Sequence, residues 1–318
     1  MAPLVPSSRN HPQLSGLVKS GALRVIRKPV GYDEDKRERR FWRGKEKPRE
    51  PECIYVVGTC HVSSESARDV QAVIECVRPQ AVVVELCKKR SGALNVEDGS
   101  SAMGAADGRR FDSQSPQLSG PSGLWRELAS SDSREGGLAE RSARWLMRNI
   151  MSSQADRLGR ELNVLPGAEF RQAVISGREV GAEIVLGDRP IDITLKRCWA
   201  NMSARERWKL GLVLASTAFN QDEVTRQVAS QISSTEEALD LDLVFEQVTG
   251  MFPGLVEPLF NERDRYMAWT LKRSKAVTNC REVVGVIGRG HLDAVCKEIE
   301  RDYSAQHLSF KRVARLKH

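Results

Sequence analysis

The sequence predicts an α/β protein: a central, mainly parallel sheet flanked by helices, with a helical insertion before its last strand. Four short runs are apolar almost throughout and rich in β-branched residues, "CIYVVG" (53–58), "QAVVVEL" (80–86), "AEIVLGD" (182–188) and "EVVGVIG" (282–288). Strands covered on both faces read this way. The first two runs are separated by a stretch of helical period, as are other parts of the chain. Each run also ends at or just before a titratable residue that a core would exclude, and such groups converge where parallel strands end at a common crevice.

The first interval, "SSESARDVQAVIECVRP", puts Val70, Val73, Ile74 and Val77 on one helical face. Ser63 or Ser64 is placed to cap its start, and Pro79 closes it. Residues 53–86 therefore form a β-helix-β unit. In "PGAEFRQAVISGREVGAEIVLGD", Pro166 opens a helix, Gly181 ends it and a strand follows. Residues 91–137 are rich in Ser and Gly and poor in apolar residues, so ordering them would not be offset by burial and a disordered insertion is expected. Helical spacing resumes near Arg141 in "SARWLMRNIMSSQADRLGREL". It recurs over residues 203–278, which are expected as a helical cap or subdomain. The organisation predicted is a basic disordered leader (1–50), a folded domain (51–300) and a basic tail (301–318).

The formal charge of +7 sits at the two ends. Residues 1–50 hold 13 Lys/Arg against 6 Asp/Glu and the last 18 hold five against one, so the body between them is net negative. A nucleic-acid face built into the fold requires the opposite sign, and nucleic acid is not an expected partner. Seven scattered cysteines without a C-x-x-C spacing indicate a reducing compartment. No run reaches the roughly 18 apolar residues of a membrane span. The first 32 residues carry five basic and no acidic residues, with Ser7, Ser8, Ser15 and Ser20. That is the bias of a mitochondrial or plastid transit peptide and equally of a disordered leader. The expected location is intracellular, in the cytosol or an organelle, with the basic ends available for peripheral contact with a membrane surface.

The strand ends supply the candidate site: His61 after the first, Glu85 at the second, Asp188 and Arg189 at the third, and His291 after the fourth. "GTCH" and "GRGH" are both Gly-x-x-His after a buried strand and before a helix. The glycine is expected to permit a tight exit from the strand. At a helix N-terminus the imidazole tends to stay neutral and able to bind metal. Two imidazoles and a carboxylate would suit a catalytic divalent metal with an open position for water. Each residue also has a structural alternative. Either histidine alone suits a hydrogen-bonded role, Glu85 a pairing with Arg90 or Lys88, Glu169 a helix-dipole contact, and Asp188–Arg189 a turn closed by Pro190 or a pair orienting a histidine. Arg263 suits a solvated helix face. Gly285, Gly288 and Gly290 leave a phosphate cradle as a rival, though without the dinucleotide spacing.

The segments "YVVGTCHVS", "VVVELCKKR", "LGRELNVLPGAEFRQAV", "GAEIVLGDRPIDITLKRCW", "ERDRYMAWTL" and "VVGVIGRGHLDAV" resemble, in order, those of the TraB/PrgY family. That family is related to the Tiki proteins and more distantly to erythromycin-esterase and ChaN-like folds. The resemblance covers residues 53–298 apart from the Ser/Gly insertion. It implies a metal-dependent hydrolase acting on a peptide-like substrate, with His61, His291 and Glu85 as metal residues and Glu85 as ligand or as base for a bound water. It also brings in Glu169, Asp188, Arg189 and Arg263, the last as an anchor for a substrate carboxylate. Two departures are visible: Cys60 stands where the family more often has alanine, and a basic "FKRVARLKH" stands where many members carry hydrophobic spans. A non-enzymatic binding or regulatory protein, holding a peptide or protein partner at an organelle surface, is the alternative.

Overall fold

The computed structural model describes residues 11–32, 49–60, 64–88, 167–210, 250–304, 308 and 314. The predicted insertion, most of the expected tail, the helix expected near Arg141 and the Ser63 cap lie outside these residues. The chain divides into two units, one comprising residues 1–115, 155–191 and 262–317, the other residues 116–154 and 192–261.

The first unit is built on a five-stranded sheet. Its strands are β1 (Leu23–Arg27), β2 (Cys53–Thr59), β3 (Ala81–Val84), β4 (Glu183–Leu186) and β5 (Glu282–Gly288), in the order β1-β2-β5-β3-β4. All four predicted strands are present, and β2, β5, β3 and β4 pair in parallel. Alternate residues of the central strands feed two separate cores, as a period of two requires. On one face Tyr55, Val57, Val82, Val84, Val284 and Val286 meet α2 (Ser64–Val77) and α3 (Ala168–Glu179). On the other, Ile54, Val56, Val83 and Ile287 meet α5 (Glu262–Arg273) and α6 (Arg289–Ser304). The predicted Val70, Val73, Ile74 and Val77 stripe is the buried face of α2. Gly181, at φ 78°, ends α3 as predicted, in a conformation glycine adopts without a Cβ penalty.

Three expectations are corrected here. Part of the stretch expected as a disordered leader is ordered, because α1 (Ser15–Lys19) and β1 occupy it. β1 pairs antiparallel with β2 as an edge strand, burying Leu23 and Ile26 on opposite faces. Its short "LRVIR" pattern was too brief to stand out against the surrounding charge. The helical stretch 203–278 is also divided: α5 belongs to the sheet unit, where Met267, Ala268 and Leu271 pack on β2 and β5. The glycine of "GTCH" has a different purpose from the one expected. Gly58 lies within β2, and a Cβ there would stand 2.6 Å from Cδ2 of Leu292 on α6. It is a packing glycine that lets α6 close on the strand.

In the second unit α4 (Ile191–Asn201), which begins at the boundary, leads to a small core of Cys198, Met202, Leu210, Phe252 and Leu255. Ser203 and Glu206 form a reciprocal cap at the start of the next helix: Ser203 N–H donates to Glu206 Oε2 (2.7 Å) and Glu206 N–H to Ser203 Oγ (3.3 Å).

At the amino edge of the sheet an ionic network fastens the first unit. Lys272, fully buried, donates to Asp302 Oδ2 at 2.6 Å and lies 3.2 Å from Glu50 Oε2, with the Tyr303 ring 3.4 Å from its Nζ. Arg273 bonds both Glu50 and Asp302. Burial alone would raise the Asp302 carboxyl, but Lys272 and Arg273 outweigh it and hold its pKa below the usual value. Asp302→Asn is therefore expected to cost about 3–5 kcal/mol at pH 7, the scale of breaking a buried pair. Because the folded pKa is depressed, this stabilisation is full above the unfolded carboxyl's value near ~3.9 and is lost as pH falls through the folded value. Urea midpoints of wild type and variant should converge on acidification; a gap that stays constant would refute the assignment.

Candidate functional site

The carboxyl edge gathers charges from three strand ends and two helix starts. β3 hands over to Glu85, whose N–H still donates to Val286 O of β5 (3.0 Å). Its carboxylate is thus fixed beside the last residue of β5, and Oε2 accepts the Gly288 N–H at 2.7 Å. After β4, Gly187 turns tightly beneath β3, where a Cβ would meet Val83 Cγ1 at 2.5 Å and Val84 O at 3.1 Å. Asp188 follows, its own N–H bonded to Leu86 O (3.2 Å), and its Oδ1 accepts the Arg189 N–H (2.7 Å).

Arg263 occupies the centre. Its Nε and Nη2 grip the two oxygens of Asp188 at 2.9 and 3.1 Å, and Nη2 also donates to Glu85 Oε1 at 2.7 Å. The planar fork of a guanidinium suits this bidentate geometry. Burial opposes the charge, yet Asp188 and Glu85 outweigh it and push the Arg263 pKa further up. Burial also raises the nearby Tyr266 phenol, with the Asp188 charge adding to it.

The first three residues of α5 point three ways, as 100° per residue dictates. Glu262 Oε2 accepts from Arg189 Nη1 at 2.7 Å, a buried pair. Arg263 goes to Asp188 and Glu85. Asp264 Oδ1 lies 2.6 Å from His291 Nδ1. A carboxylate oxygen only accepts, so Nδ1 carries the hydrogen, and when the ring is neutral Nε2 presents a lone pair. That lone pair faces Arg263 Nη1 at 3.4 Å and Glu85 Oε1 at 3.5 Å.

Among the residues singled out from sequence, Glu85, Asp188, Arg189, Arg263 and His291 are thereby brought into one connected network. Glu169 is buried in the first turn of α3. His61 lies outside the described residues, which reach Cys60, one residue past β2; there Thr59 Oγ1 donates to Ile287 O at 3.1 Å. Three expectations change. Glu85 pairs with Arg263, far from it in sequence. Arg263 is not a solvated face residue, and its guanidinium grips the carboxylates of Glu85 and Asp188. Asp188 pairs with Arg263, and the carboxylate bonded to His291 is that of Asp264. Asp264 and Glu262 were missed as site residues. Their signal was the run "ERD" at the start of a helix whose later residues carry the apolar stripe, since three successive charges cannot all face water if that stripe is buried.

Two acceptors 3.5 Å apart match the ~3.4 Å that two ligands of a tetrahedral ion at about 2.0–2.1 Å would show. The spacing alone is that of two ligands, with Asp264 placed behind the ring as carboxylates are behind metal-binding histidines, but both atoms also face Arg263, at 2.7 Å from Glu85 Oε1 and 3.4 Å from His291 Nε2. Among the described residues no group of three or more His, Cys, Asp or Glu is arranged to hold a metal, and the third residue of the expected set, His61, is not described.

A mainly parallel α/β sheet whose carboxyl edge carries a buried carboxylate–guanidinium–imidazole network defines the class of protein. The sequence profile of the TraB/PrgY/gumN family matches residues 41–300, and the chain belongs to that family. Similar proteins include the TraB domain-containing proteins of Bos taurus and Homo sapiens, each 29% identical over 273 residues and 80% of this chain. An uncharacterized protein of Methanocaldococcus jannaschii is 26% identical over 268 residues, 84% of this chain. The chain spans 64%, 65% and 58% of the lengths of these three relatives, respectively. No helix among the described residues is long and apolar enough to cross a membrane.

Two measurements probe this network. Arg263→Met is expected to destabilise the fold by about 3–5 kcal/mol because it strands buried carboxylates; a urea midpoint within error of wild type would contradict it. Imidazole nitrogen shifts of neutral His291 should report the Nδ1–H form in wild type, and Asp264→Ala should lose that preference. The same tautomer in both would remove Asp264 from its orienting role.

Proposed function

We propose that this carboxyl-edge site is that of a metal-dependent hydrolase acting on a peptide-like substrate. His61, His291 and Glu85 are the residues that would hold a divalent ion. The supporting observation is the facing pair of acceptors, His291 Nε2 and Glu85 Oε1, 3.5 Å apart with the histidine's other nitrogen bonded to Asp264. Both atoms also meet the Arg263 guanidinium, Nη2 donating to Glu85 Oε1 at 2.7 Å and Nη1 lying 3.4 Å from His291 Nε2, so a divalent ion held by the pair would sit beside that group. A bound divalent ion supplies an acidified water and a polarised carbonyl.

The chain's own residues carry the remaining tasks. Asp264 holds the His291 ring in plane and keeps the hydrogen on Nδ1, so Nε2 points into the site. Glu85, anchored through Oε2 by the Gly288 N–H, presents Oε1 either as a ligand or as the acceptor of a proton from attacking water. Arg263 fixes that carboxylate and holds positive charge beside the place where negative charge would grow. Asp188 orients Arg263 in turn.

A second reading has its own support. Both oxygens of Glu85 and both of Asp188 are bonded within the protein, as in a purely architectural network. That suits a non-enzymatic module that binds a peptide or protein partner, with the basic ends directing it to an organelle surface.

Elemental analysis and peptide hydrolysis together separate the two. The hydrolase reading expects bound divalent metal in wild type, its loss in His291→Ala, and hydrolysis reduced by roughly 100-fold or more in Glu85→Gln. Trp208→Ala, in the second unit, should leave both unchanged. Wild-type protein that takes up no metal after equilibration with divalent ions, yet binds peptides without cleaving them, would overturn the hydrolase and favour the binding module.

A further inference from the structure

A second polar constellation lies at the amino-terminal part of the first unit and is unconnected with the carboxyl-edge network. Cys76, in the last turn of α2, is half-buried. Its sulfur accepts a hydrogen bond from the Gln13 side-chain amide at 2.9 Å and lies 3.2 Å from Nδ1 of His11. Both partners come from the segment that begins at His11 and runs through the short helical turn Pro12–Leu14. Leu14 is buried in the core beside α2, which fixes that segment in place. The His11 ring meets Tyr55 edge-on, with centroids 5.9 Å apart. An open cavity of about 380 Å³, lined by Gln13, Leu14, Ala72, Glu75 and Cys76, gives small molecules access to the sulfur. The Glu75 carboxylate in that lining accepts from Gln71 at 2.7 Å.

The other cysteines have different surroundings. Cys280 donates its S–H to the Ala276 carbonyl (3.6 Å), and burial raises its pKa. Burial also raises Cys53 and pushes Cys296 up to about 12. Cys87 and Cys198 are buried, and Cys60 is exposed. Cys76 combines access with nitrogen donors. With the amide donor already on sulfur, the S–H proton has His11 Nδ1 as its acceptor in the tautomer that carries its hydrogen on Nε2. Once it has moved there, both neighbours donate to the sulfur, and it is the thiolate that acts as nucleophile.

We propose that Cys76 is a thiol-modification site, oxidised by small hydroperoxides with His11 taking the thiol proton. In the step the sulfur attacks the nearer peroxide oxygen, an S–O bond forms and the O–O bond breaks. Sulfur is oxidised to sulfenic acid and the peroxide is reduced. The proton held on His11 goes to the departing hydroxide or alkoxide, giving water or an alcohol.

Treating the full-length protein with limiting hydrogen peroxide and a sulfenic-acid trap, then quantifying each cysteine by mass spectrometry, tests the proposal. Cys76 is expected to be trapped ahead of Cys60 although Cys60 is the more exposed. His11→Phe, which keeps a ring against Tyr55, is expected to slow trapping at Cys76 by roughly tenfold, less than the hundredfold of a fully catalytic positioned base, and to leave Cys60 unchanged. The ordering within wild type does not depend on any variant folding. Labelling of Cys60 ahead of Cys76, or an unchanged Cys76 rate in His11→Phe, would overturn the proposal.

Discussion

The constraint on which the rest of the carboxyl edge depends is the placing of one guanidinium between two buried carboxylates. Glu85 and Asp188 end neighbouring parallel strands, and each would be costly to bury as an anion without a cation beside it. Arg263 meets both, with the forked contact to Asp188 setting the plane of the group. Because it is the second residue of α5, that grip also sets the start of the helix. Glu262 and Asp264 on either side then have fixed directions, one toward Arg189 and the other toward His291. A lysine could supply the charge but not the plane.

Helix α5 is held ionically at both of its ends. Its first turn meets the strand ends at the carboxyl edge, and its last turn carries Lys272 and Arg273 into the network with Glu50 and Asp302 at the amino edge. Between them Met267, Ala268 and Leu271 supply the apolar contact with the sheet. The helix thus behaves as a strut whose length is registered against the strands. Its closest approach depends on Gly285 of β5, where a Cβ would lie 2.8 Å from Leu271 Cδ2.

Much of the fold was legible because buried parallel strands write themselves as continuous apolar runs, and all four such runs are strands. β1 was not, since an edge strand of five residues with "LRVIR" carries only a brief alternation inside a basic stretch. The site was legible where a titratable residue directly followed a strand, as with Glu85, Asp188 and His291. It was less so on α5, where Glu262, Arg263 and Asp264 share the appearance of any exposed helix start. The "ERD" run signals that one of the three charges turns inward, but the sheet's three-dimensional order is what shows which strand ends the turn meets. The Gly58 error has a similar origin: a glycine required by a helix that arrives more than 230 residues later looks, locally, like a turn.

That late arrival has a kinetic side. β5 is last of the strands in sequence yet lies between β2 and β3 in space. While the chain is being made, the unit formed by β2, α2 and β3 has an unfilled gap along its middle, and neither strand's inner edge has its hydrogen-bonding partner. Closing it requires pairings that span some 200 residues of sequence, the kind of long-range contact that slows folding and leaves strand edges open to other chains in the meantime. The chemical site shares this schedule: Glu85 and Asp188 exist early as isolated anions, and their cation and the histidine reach them only when the last fifth of the chain docks.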